Sequence, residues 1–309
     1  MKIFNSLEEI KDIEPTVIAL GNFDGIHLGH QAIIKKAIYD AKGEGYKSAV
    51  FTFANHPRNL LKNKEPVKNI LYLEDKCKII ESLGIDYLFN IPFDEEIMKM
   101  PPIDFIDKVL IESFKMREVL CGFNYHFGYK AEGDVELLVK ESTKKGFGVH
   151  VTEPYTVDGQ VVSSSLIREK IAQGDMVACS KLLGRNYAIE GEVVVGNRLG
   201  KKIGFPTSNI NIDKTMVSPP NGVYITKCTY NGISYPSITN VGNKPTIGKY
   251  NKNVETHIFN FEKELYGKII RVEFLEKLRD EKKFDSVEEL SKEITANCIT
   301  ARAYHRQHR

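Results

Sequence analysis

The sequence predicts a two-domain protein of the α/β plus β class, with a doubly wound parallel α/β domain followed by a small antiparallel β-barrel and a C-terminal helix. The 309 residues exceed one typical domain of roughly 100 to 200 residues. Strand-like and helix-like segments alternate in the first half, whereas turn residues separate strand-like segments in the second. We place the boundary near Gly184-Arg185, which gives domains 1–184 and 185–309.

Apolar runs and amphipathic stretches alternate in the first half. The predicted strands are 16–20, 48–53, 87–91, 119–121 and 148–151. The predicted helices are 30–42, 74–83, 103–114 and 135–145, followed by two short helices within 164–183. Right-handed helical crossovers between parallel strands place helices on both faces of a sheet. The alternation therefore predicts a doubly wound sheet.

The second half has the pattern of a small antiparallel barrel. The predicted strands are 188–195, 223–229, 234–241, 254–261 and 269–275. Asn221-Gly222 and Asn231-Gly232 are turn signals between them. A final helix from 287 to about 303 carries an apolar face, which predicts packing against the outside of the barrel. That face consists of Val287, Leu290, Ile294 and Cys298.

Charge and cysteine content exclude several classes of protein. The net charge of +2 divides into −4 for residues 1–184 (23 Lys and Arg, 27 Asp and Glu) and +6 for 185–309 (20 and 14). This modest basic excess suits a small polyanion such as a nucleotide better than a nucleic acid. Five scattered cysteines without a CxxC pair favour a reducing cytoplasm. No segment reaches the roughly 18 apolar residues of a membrane span, so we expect a cytoplasmic monomer or weak homo-oligomer without a membrane partner.

The segment GNFDGIHLGH, residues 21–30, follows the first predicted strand and opens the first helix. In an open α/β sheet this turn is the favoured phosphate site, because glycines allow close approach and helix N-terminal amides attract anions. His27 and His30 share a face of the first helical turn and can donate hydrogen bonds to phosphate oxygens. The turn therefore predicts a nucleotide phosphate site.

Other interpretations of this turn fit less well. The spacing matches neither the GxGxxG fingerprint nor the GxxxxGK[ST] phosphate loop. Zinc ligation is disfavoured, because helical zinc pairs lie at i, i+4 and a helix N-terminus repels cations. The remaining alternative is that the two histidines only cap the helix or pack against it.

GNFDGIHLGH resembles the HxGH signature of the nucleotidyltransferase superfamily, in the form typical of bacterial FAD synthetases. The resemblance implies a Rossmann-like domain that transfers an adenylyl group from ATP to FMN, releasing pyrophosphate without a covalent enzyme intermediate. His27 and His30 would then be catalytic. The same resemblance implies ATP contacts from Gly21, Asn22, Phe23, Asp24, His27, Gly29 and His30.

Three further stretches resemble segments of that family: TFANHPR (52–58), CGFNYHFG (121–128) and SSSLIR (163–168). The first two imply flavin or phosphate contacts, and the third implies binding of ATP phosphates. Taken alone, each stretch has a plainer interpretation as a turn, a loop cap or a helix N-cap. The implied flavin or FMN contacts are His56, Pro57, Arg58 and Asn124, and the implied ATP contacts are Ser163, Ser164 and Arg168.

GNRLGKKIGFPTSN, residues 196–209, is a glycine- and lysine-rich segment that could be a solvated loop or a flap over nucleotide phosphates. It resembles the riboflavin kinase signature GFPTAN, with Ser208 in place of the alanine. The resemblance implies Mg²⁺ ligation by Thr207 and Asn209, whose side-chain oxygens suit that ion. The implied ATP contacts are Gly196, Lys201, Gly204 and Thr207.

NVGNKPTIG (240–248) and VETHIFNFEKELYG (254–267) are similar to the VGxRPTF and ExHxxDFxxDLYG stretches of flavokinases. The resemblance makes Glu255 the catalytic base for the 5′-hydroxyl of riboflavin, whereas spacing alone suggests a salt-bridged strand residue. The chain departs from the family pattern at Lys244, Asn260 and Glu264.

The combined motifs identify the chain as a member of the bifunctional riboflavin kinase and FAD synthetase family. The expected substrates are ATP, riboflavin and FMN, the expected products are FMN, FAD, ADP and pyrophosphate, and Mg²⁺ is the expected cofactor. Two alternatives stay open. One is a nucleotidyltransferase for another phosphorylated acceptor, and the other is a flavin-binding regulatory protein without turnover.

Overall fold

The computed structural model describes residues 1–60, 65–196, 200, 203–246 and 249–308, without the side chains of 244–246 and 249–251. The chain folds into two compact units, one of residues 1–164 and one that begins at Ser165. Among the described residues, no helix combines the length and apolar character needed to cross a membrane. All five cysteines are unpaired thiols.

The first unit is built on a six-stranded parallel sheet in the order β1-β4-β3-β2-β5-β6. Its strands are β1 (Lys2–Phe4), β2 (Thr16–Leu20), β3 (Lys47–Phe53), β4 (Tyr87–Ile91), β5 (Met116–Gly122) and β6 (Gly148–Thr152). Every residue of β2 is buried, as expected for a central strand covered on both faces. The sequence did not predict β1, which has only three residues and begins with two exposed ones.

Helices cover both faces of this sheet, which confirms the doubly wound prediction. The helices are α1 (Leu28–Glu44), α2 (Leu73–Ser82), α3 (Glu95–Lys99), α4 (Pro102–Asp104) and α5 (Val135–Lys145). Ile34 of α1 and Ile80 of α2 belong to the apolar cluster on one face, and Leu138 of α5 belongs to the cluster on the other. The predicted helix 103–114 is mostly a π-helix, Phe105–Ser113. A short hairpin, β7 (Thr156–Val157) and β8 (Gln160–Val161), follows the sheet.

The second unit is an antiparallel barrel preceded by two short helices and followed by a long one. Its elements are α6 (Ser164–Gln173), α7 (Met176–Leu183), β9 (Tyr187–Glu192), β10 (Ser208–Asn211), β11 (Gly222–Tyr230), β12 (Ile233–Thr246), β13 (Lys249–Ile258), β14 (Ile269–Asp280) and α8 (Val287–Gln307). The strand order is β10-β13-β12-β11-β14-β9. The backbone N–H of Val194 donates to the carbonyl of Asn209 at 2.8 Å, which brings the two edges of the sheet together.

Helix α8 packs on the outside of the barrel through its second half. Cys298 and Ala301 lie in an apolar cluster with Val223 and Ile225 of β11. The prediction that the apolar face packs against the barrel was wrong for its first residue, because Val287 is 49% exposed. Helical periodicity identified the stripe but not the turn at which contact with the barrel begins.

Candidate active sites

The loop of residues 21–27 joins β2 to α1 at the carboxyl edge of the parallel sheet. His27 is the N-cap of α1, and its Nδ1 accepts a hydrogen bond from the backbone N–H of His30 at 3.2 Å. A neutral His27 therefore carries its proton on Nε2, where it can donate to an anion. The first turn of α1 contains no acidic side chain, so the positive potential of the helix terminus is not offset within that turn.

The rings of His27 and His30 are stacked, with their centroids 3.6 Å apart. The Nδ1 atom of His30 is buried and has no hydrogen-bond partner in the described part of the chain. Burial, reinforced by His27 and by the ammonium group of Lys76, holds the pKa of His30 well below its usual value of 6.5. His30 is therefore neutral at physiological pH, and its unpaired nitrogen suits an atom of a ligand.

Three residues of the loop adopt left-handed backbone conformations: Phe23 (φ 46°), Gly25 (φ 83°) and Ile26 (φ 38°). This region is strained for a bulky aromatic or a β-branched residue. The side chains of Phe23 and Ile26 are fully buried in the apolar cluster beneath α1, and this packing holds the strained conformation. Strain of this kind concentrates at ligand sites, which supports a binding role for the loop.

Hydrogen bonds tie the loop to two of the other predicted motifs. The carbonyl of Asn22 accepts from the Thr52 hydroxyl at 2.9 Å, and the carbonyl of Asp24 accepts from the Ser164 hydroxyl at 2.7 Å. The buried carboxylate of Asp24 accepts from the backbone N–H of Ile70 at 2.9 Å. Asp24 thereby fixes the positions of two neighbouring segments around the histidines.

The other predicted residues of the first unit follow strands that flank β2. His56, Pro57 and Arg58 come after β3, with His56 Nδ1 accepting from the Arg58 N–H at 3.2 Å. Asn124 comes after β5 and is exposed. Because β2 lies between β3 and β5, these segments share its carboxyl edge. Ser163 and Arg168 lie on either side of the start of α6. The residues of α6 from Ser165 onward belong to the second unit, and the contact of Arg168 with ATP phosphates stays a prediction.

Two residues at this edge were missed from the sequence. Phe123, directly after β5, is 51% exposed and offers a flat apolar surface beside Asn124. Lys76 is buried on α2, and its ammonium donates to the carbonyl of Phe53 at the end of β3, at 3.2 Å. Burial lowers the pKa of Lys76 to about 8, although the nearby Asp24 carboxylate opposes that shift. A lysine in an amphipathic helix is normally solvated, so no sequence signal indicated its burial.

In the barrel, β10 and β13 place the predicted kinase residues side by side. Asn209 lies opposite Glu255 in the antiparallel register, so the two side chains share a face. The amide of Asn209 is buried and contacts both the carbonyl and the hydroxyl oxygen of Thr207 at 3.4 Å. The adjacent Thr256 points the other way, into a ladder of buried hydroxyl groups formed with Thr239.

Asn253, which was not predicted from the sequence, links Asn209 to Glu255. Its side-chain Nδ2 donates to Oδ1 of Asn209 at 2.9 Å and to Oε1 of Glu255 at 3.0 Å. Asn253 lies two residues before Glu255, so strand alternation puts both side chains on one face. Recognising this link required the β10–β13 register, and the sequence did not predict β10 because it lies in a glycine- and lysine-rich stretch.

His257 orients the segment that carries Thr207. Its Nδ1 lies 2.8 Å from the carbonyl of Pro206, so this nitrogen carries the proton and donates. Burial lowers the pKa of His257, although the hydrogen bond to Pro206 opposes that shift. The ring also contacts Phe205 in a T-shaped arrangement with centroids 5.7 Å apart. His257 thus fixes the backbone on which Thr207 stands.

The donor set at Thr207 and Asn209 fits magnesium. Hydroxyl and amide oxygens are hard ligands, and Mg²⁺ usually completes its coordination with water and substrate phosphates. Among the residues that the structure describes, no group of three His, Cys, Asp or Glu side chains could hold a metal. The Thr207 hydroxyl and the Asn209 amide oxygen are of the type that Mg²⁺ binds, and their role as its ligands stays a prediction.

The structure describes only some of the remaining predicted kinase residues and of the positions at which the chain departs from the family pattern. Lys201 and the side chain of Lys244 lie outside the described residues. Gly204 has a φ of 87°, which favours glycine, and a Cβ at Gly196 would lie 2.6 Å from Nδ2 of Asn209. Asn260 has a φ of 58°, a conformation that both Asn and Asp tolerate, and its side-chain oxygen accepts from Arg302 at 3.3 Å. Glu264 is exposed.

Comparison with known proteins settles the family. Residues 9–166 match the FAD synthetase family, and residues 183–305 match the riboflavin kinase family. The chain is 36% identical to the bifunctional riboflavin kinase/FMN adenylyltransferase of Bacillus subtilis over 285 residues, covering 90% of this chain and 89% of that protein. The chain belongs to the bifunctional riboflavin kinase/FMN adenylyltransferase family. Its predicted family, fold class and enzymatic nature are confirmed.

Other members of the riboflavin kinase/FMN adenylyltransferase family match over a similar length. The protein of Haemophilus influenzae is 33% identical to this chain, and the alignment covers 94% of this chain and 95% of that protein. Among solved structures, a protein from Streptococcus pneumoniae described as a macrolide-efflux protein has a TM-score of 0.89 and 27% identity. That alignment covers 97% of this chain and 98% of the other, so the full two-unit fold is shared.

Proposed function

We propose that the chain converts riboflavin to FAD in two ATP-dependent steps, one in each unit. The barrel transfers the γ-phosphoryl group of ATP to the 5′-hydroxyl of riboflavin, forming FMN and ADP. The α/β unit then transfers the adenylyl group of a second ATP to FMN, forming FAD and pyrophosphate. The observation that carries this proposal is the buried contact of Asn253 with both Asn209 and Glu255, because it assembles a base beside a magnesium-type ligand.

In the kinase reaction, Glu255 accepts the proton of the riboflavin 5′-hydroxyl as that oxygen attacks the γ-phosphorus. Thr207 and Asn209 would hold Mg²⁺, which would supply positive charge to stabilise the phosphate groups during transfer. His257 keeps the Pro206 carbonyl in place and thereby the Thr207 hydroxyl. Phosphoryl transfer depends mainly on alignment, so these fixed positions supply most of the catalysis.

In the adenylyl transfer, the loop of residues 21–27 positions ATP for attack by the FMN phosphate on the α-phosphorus. His27 donates from Nε2, and the amides at the start of α1 add positive potential. His30 contributes a neutral hydrogen-bonding ring. The FMN side of the site comprises His56, Pro57, Arg58 and Asn124. The ATP contacts extend to Gly21, Asn22, Phe23, Asp24, Gly29, Ser163, Ser164 and Arg168.

We propose that the functional boundary lies near Gly184-Arg185, with FMN adenylyltransferase in 1–184 and riboflavin kinase in 185–309. The start of the riboflavin kinase match at residue 183 supports this position. The compact units divide earlier, after Ser164, which groups α6 and α7 with the barrel in space. Truncation after Gly184 tests the boundary, because the fragment is expected to retain adenylylation of supplied FMN. Loss of that activity in a folded fragment would move the boundary.

The two reactions can be followed in one assay. Purified protein is incubated with riboflavin, ATP and MgCl₂, and the flavins are resolved by chromatography over time. We expect FMN to appear first and FAD to follow. Unchanged riboflavin together with conversion of supplied FMN would reduce the protein to an adenylyltransferase, and no conversion of either flavin would refute the proposal.

A further inference from the structure

Asn253 occupies the centre of the predicted kinase residues although no motif includes it. Its side chain is only 2% exposed, at a position on β13 opposite Asn211 of β10. One amide nitrogen reaches two oxygens, Oδ1 of Asn209 at 2.9 Å and Oε1 of Glu255 at 3.0 Å. A primary amide carries two N–H donors on that nitrogen, so both hydrogen bonds can form at once.

Chemistry fixes the orientation of this amide. An ionised Glu255 can only accept hydrogen bonds, so the group of Asn253 that faces it must be the NH₂. The same NH₂ then faces Asn209, which must present its oxygen. The amide nitrogen of Asn209 is left on the side of Thr207, at 3.4 Å from the hydroxyl. A chain of polar contacts therefore runs from Thr207 through Asn209 and Asn253 to Glu255.

The remaining polar atom of Asn253 indicates a role beyond packing. Its Oδ1 is buried and has no hydrogen-bond partner among the described residues. A buried carbonyl oxygen without a partner is unfavourable, and an aliphatic side chain would avoid that cost. The benefit of an asparagine at this position must therefore come from its two donated hydrogen bonds.

We propose that Asn253 is a positioning residue for phosphoryl transfer, which holds the carboxylate of Glu255 and the metal-ligating oxygen of Asn209 at a fixed separation. A neutral donor suits this position. A lysine or arginine would form an ion pair with Glu255 and weaken it as a base, whereas an aspartate would repel it and offer no donor. An amide orients both oxygens while adding no charge.

This inference rests on the proposed kinase function, and the test separates the two. Asn253→Ala is compared with wild type in riboflavin phosphorylation at saturating ATP and riboflavin. We expect kcat to fall roughly 10-fold to 100-fold, the size of one lost hydrogen bond to a charged group. The Mg²⁺ concentration for half-maximal rate should also rise, because Asn209 is no longer held. Adenylylation of supplied FMN by the same protein should be unchanged.

Two further variants make the comparison specific. Asn211→Ala removes an exposed asparagine from the same β10–β13 pair and is expected to behave as wild type. Asn253→Ser retains one donor, so its rate should lie between those of Asn253→Ala and wild type. If Asn253 acts through Glu255, Asn253→Ala should cause less than about a threefold further loss of kcat when added to Glu255→Gln.

The possible results distinguish failure of the positioning role from failure of the kinase function. Normal kcat and Mg²⁺ dependence in Asn253→Ala, or an equal loss of kcat in the wild-type and Glu255→Gln backgrounds, would overturn the positioning role alone. Absence of FMN formation by wild type would overturn the kinase function as well. If Asn253→Ala fails to fold, Asn253→Ser decides the matter, and wild-type kinetics in a folded Asn253→Ser protein would contradict the inference.

Discussion

Acidification should destabilise the first unit through His30. Its folded-state pKa lies well below 6.5, whereas unfolding restores a value of about 6.5. Between those values the unfolded chain binds a proton that the folded unit does not, so stability is fully present above pH 6.5 and falls as the pH drops. Below pH 6.5 the free energy of unfolding should fall with a slope that approaches about 1.4 kcal/mol per pH unit for as long as the folded unit keeps His30 neutral.

His30→Asn isolates this contribution, because the partly buried His257 and the buried His305, whose pKa values are also lowered, are present in both proteins. Hydrogen exchange of protected amides in β2 and α1 measures the stability of the unit itself between pH 7.5 and 5.5. Relative to the variant, wild type should lose stability across this range, with a slope that approaches about 1.4 kcal/mol per pH unit at the acidic end. A difference that stays constant with pH would refute the assignment of a neutral, buried His30.

Three further substitutions test other contacts. Lys76→Met removes a cation that lowers the pKa of His30, so the first unit should lose less stability on acidification. An unchanged pH dependence, measured by the same hydrogen-exchange experiment, would show that Lys76 does not influence His30. Gly196→Ala places a methyl group 2.6 Å from Nδ2 of Asn209. FMN formation should therefore slow by roughly 10²-fold, while adenylylation of supplied FMN continues. Equal losses in both assays would indicate unfolding instead. Gly25→Ala places a residue with a side chain at a φ of 83°. This should lower the free energy of unfolding, measured with denaturant, by about 1 kcal/mol and slow adenylylation. Wild-type stability would contradict the strain argument.

The segments that carry strong periodicity could be predicted from the sequence. Strands such as β2 and β4 are mostly apolar runs, and their bounds were predicted correctly. The loop of residues 21–27 was predicted as a phosphate site because glycines and histidines follow a buried strand. Its hydrogen bonds to Thr52 and Ser164 link it to two of the other segments that resemble the family.

The features that were missed depend on tertiary pairing. Strand β10 has no alternating pattern of its own and is defined by its register with β13. Asn253 is an unremarkable strand residue until that register places it between Asn209 and Glu255. Lys76 has the sequence context of a solvated helical lysine, and only the packing of α2 against the end of β3 buries it.

The central claim is that each unit performs one reaction, and a mixing experiment tests it most directly. Glu255→Gln and His27→Ala proteins are incubated with riboflavin, ATP and MgCl₂, separately and together, and FAD is measured by chromatography. Alone, Glu255→Gln should phosphorylate riboflavin very slowly and form almost no FAD, and His27→Ala should accumulate FMN. Together they should form FAD, because FMN made by one protein is adenylylated by the other. Loss of both reactions in either folded variant, or no FAD from the mixture, would contradict the account.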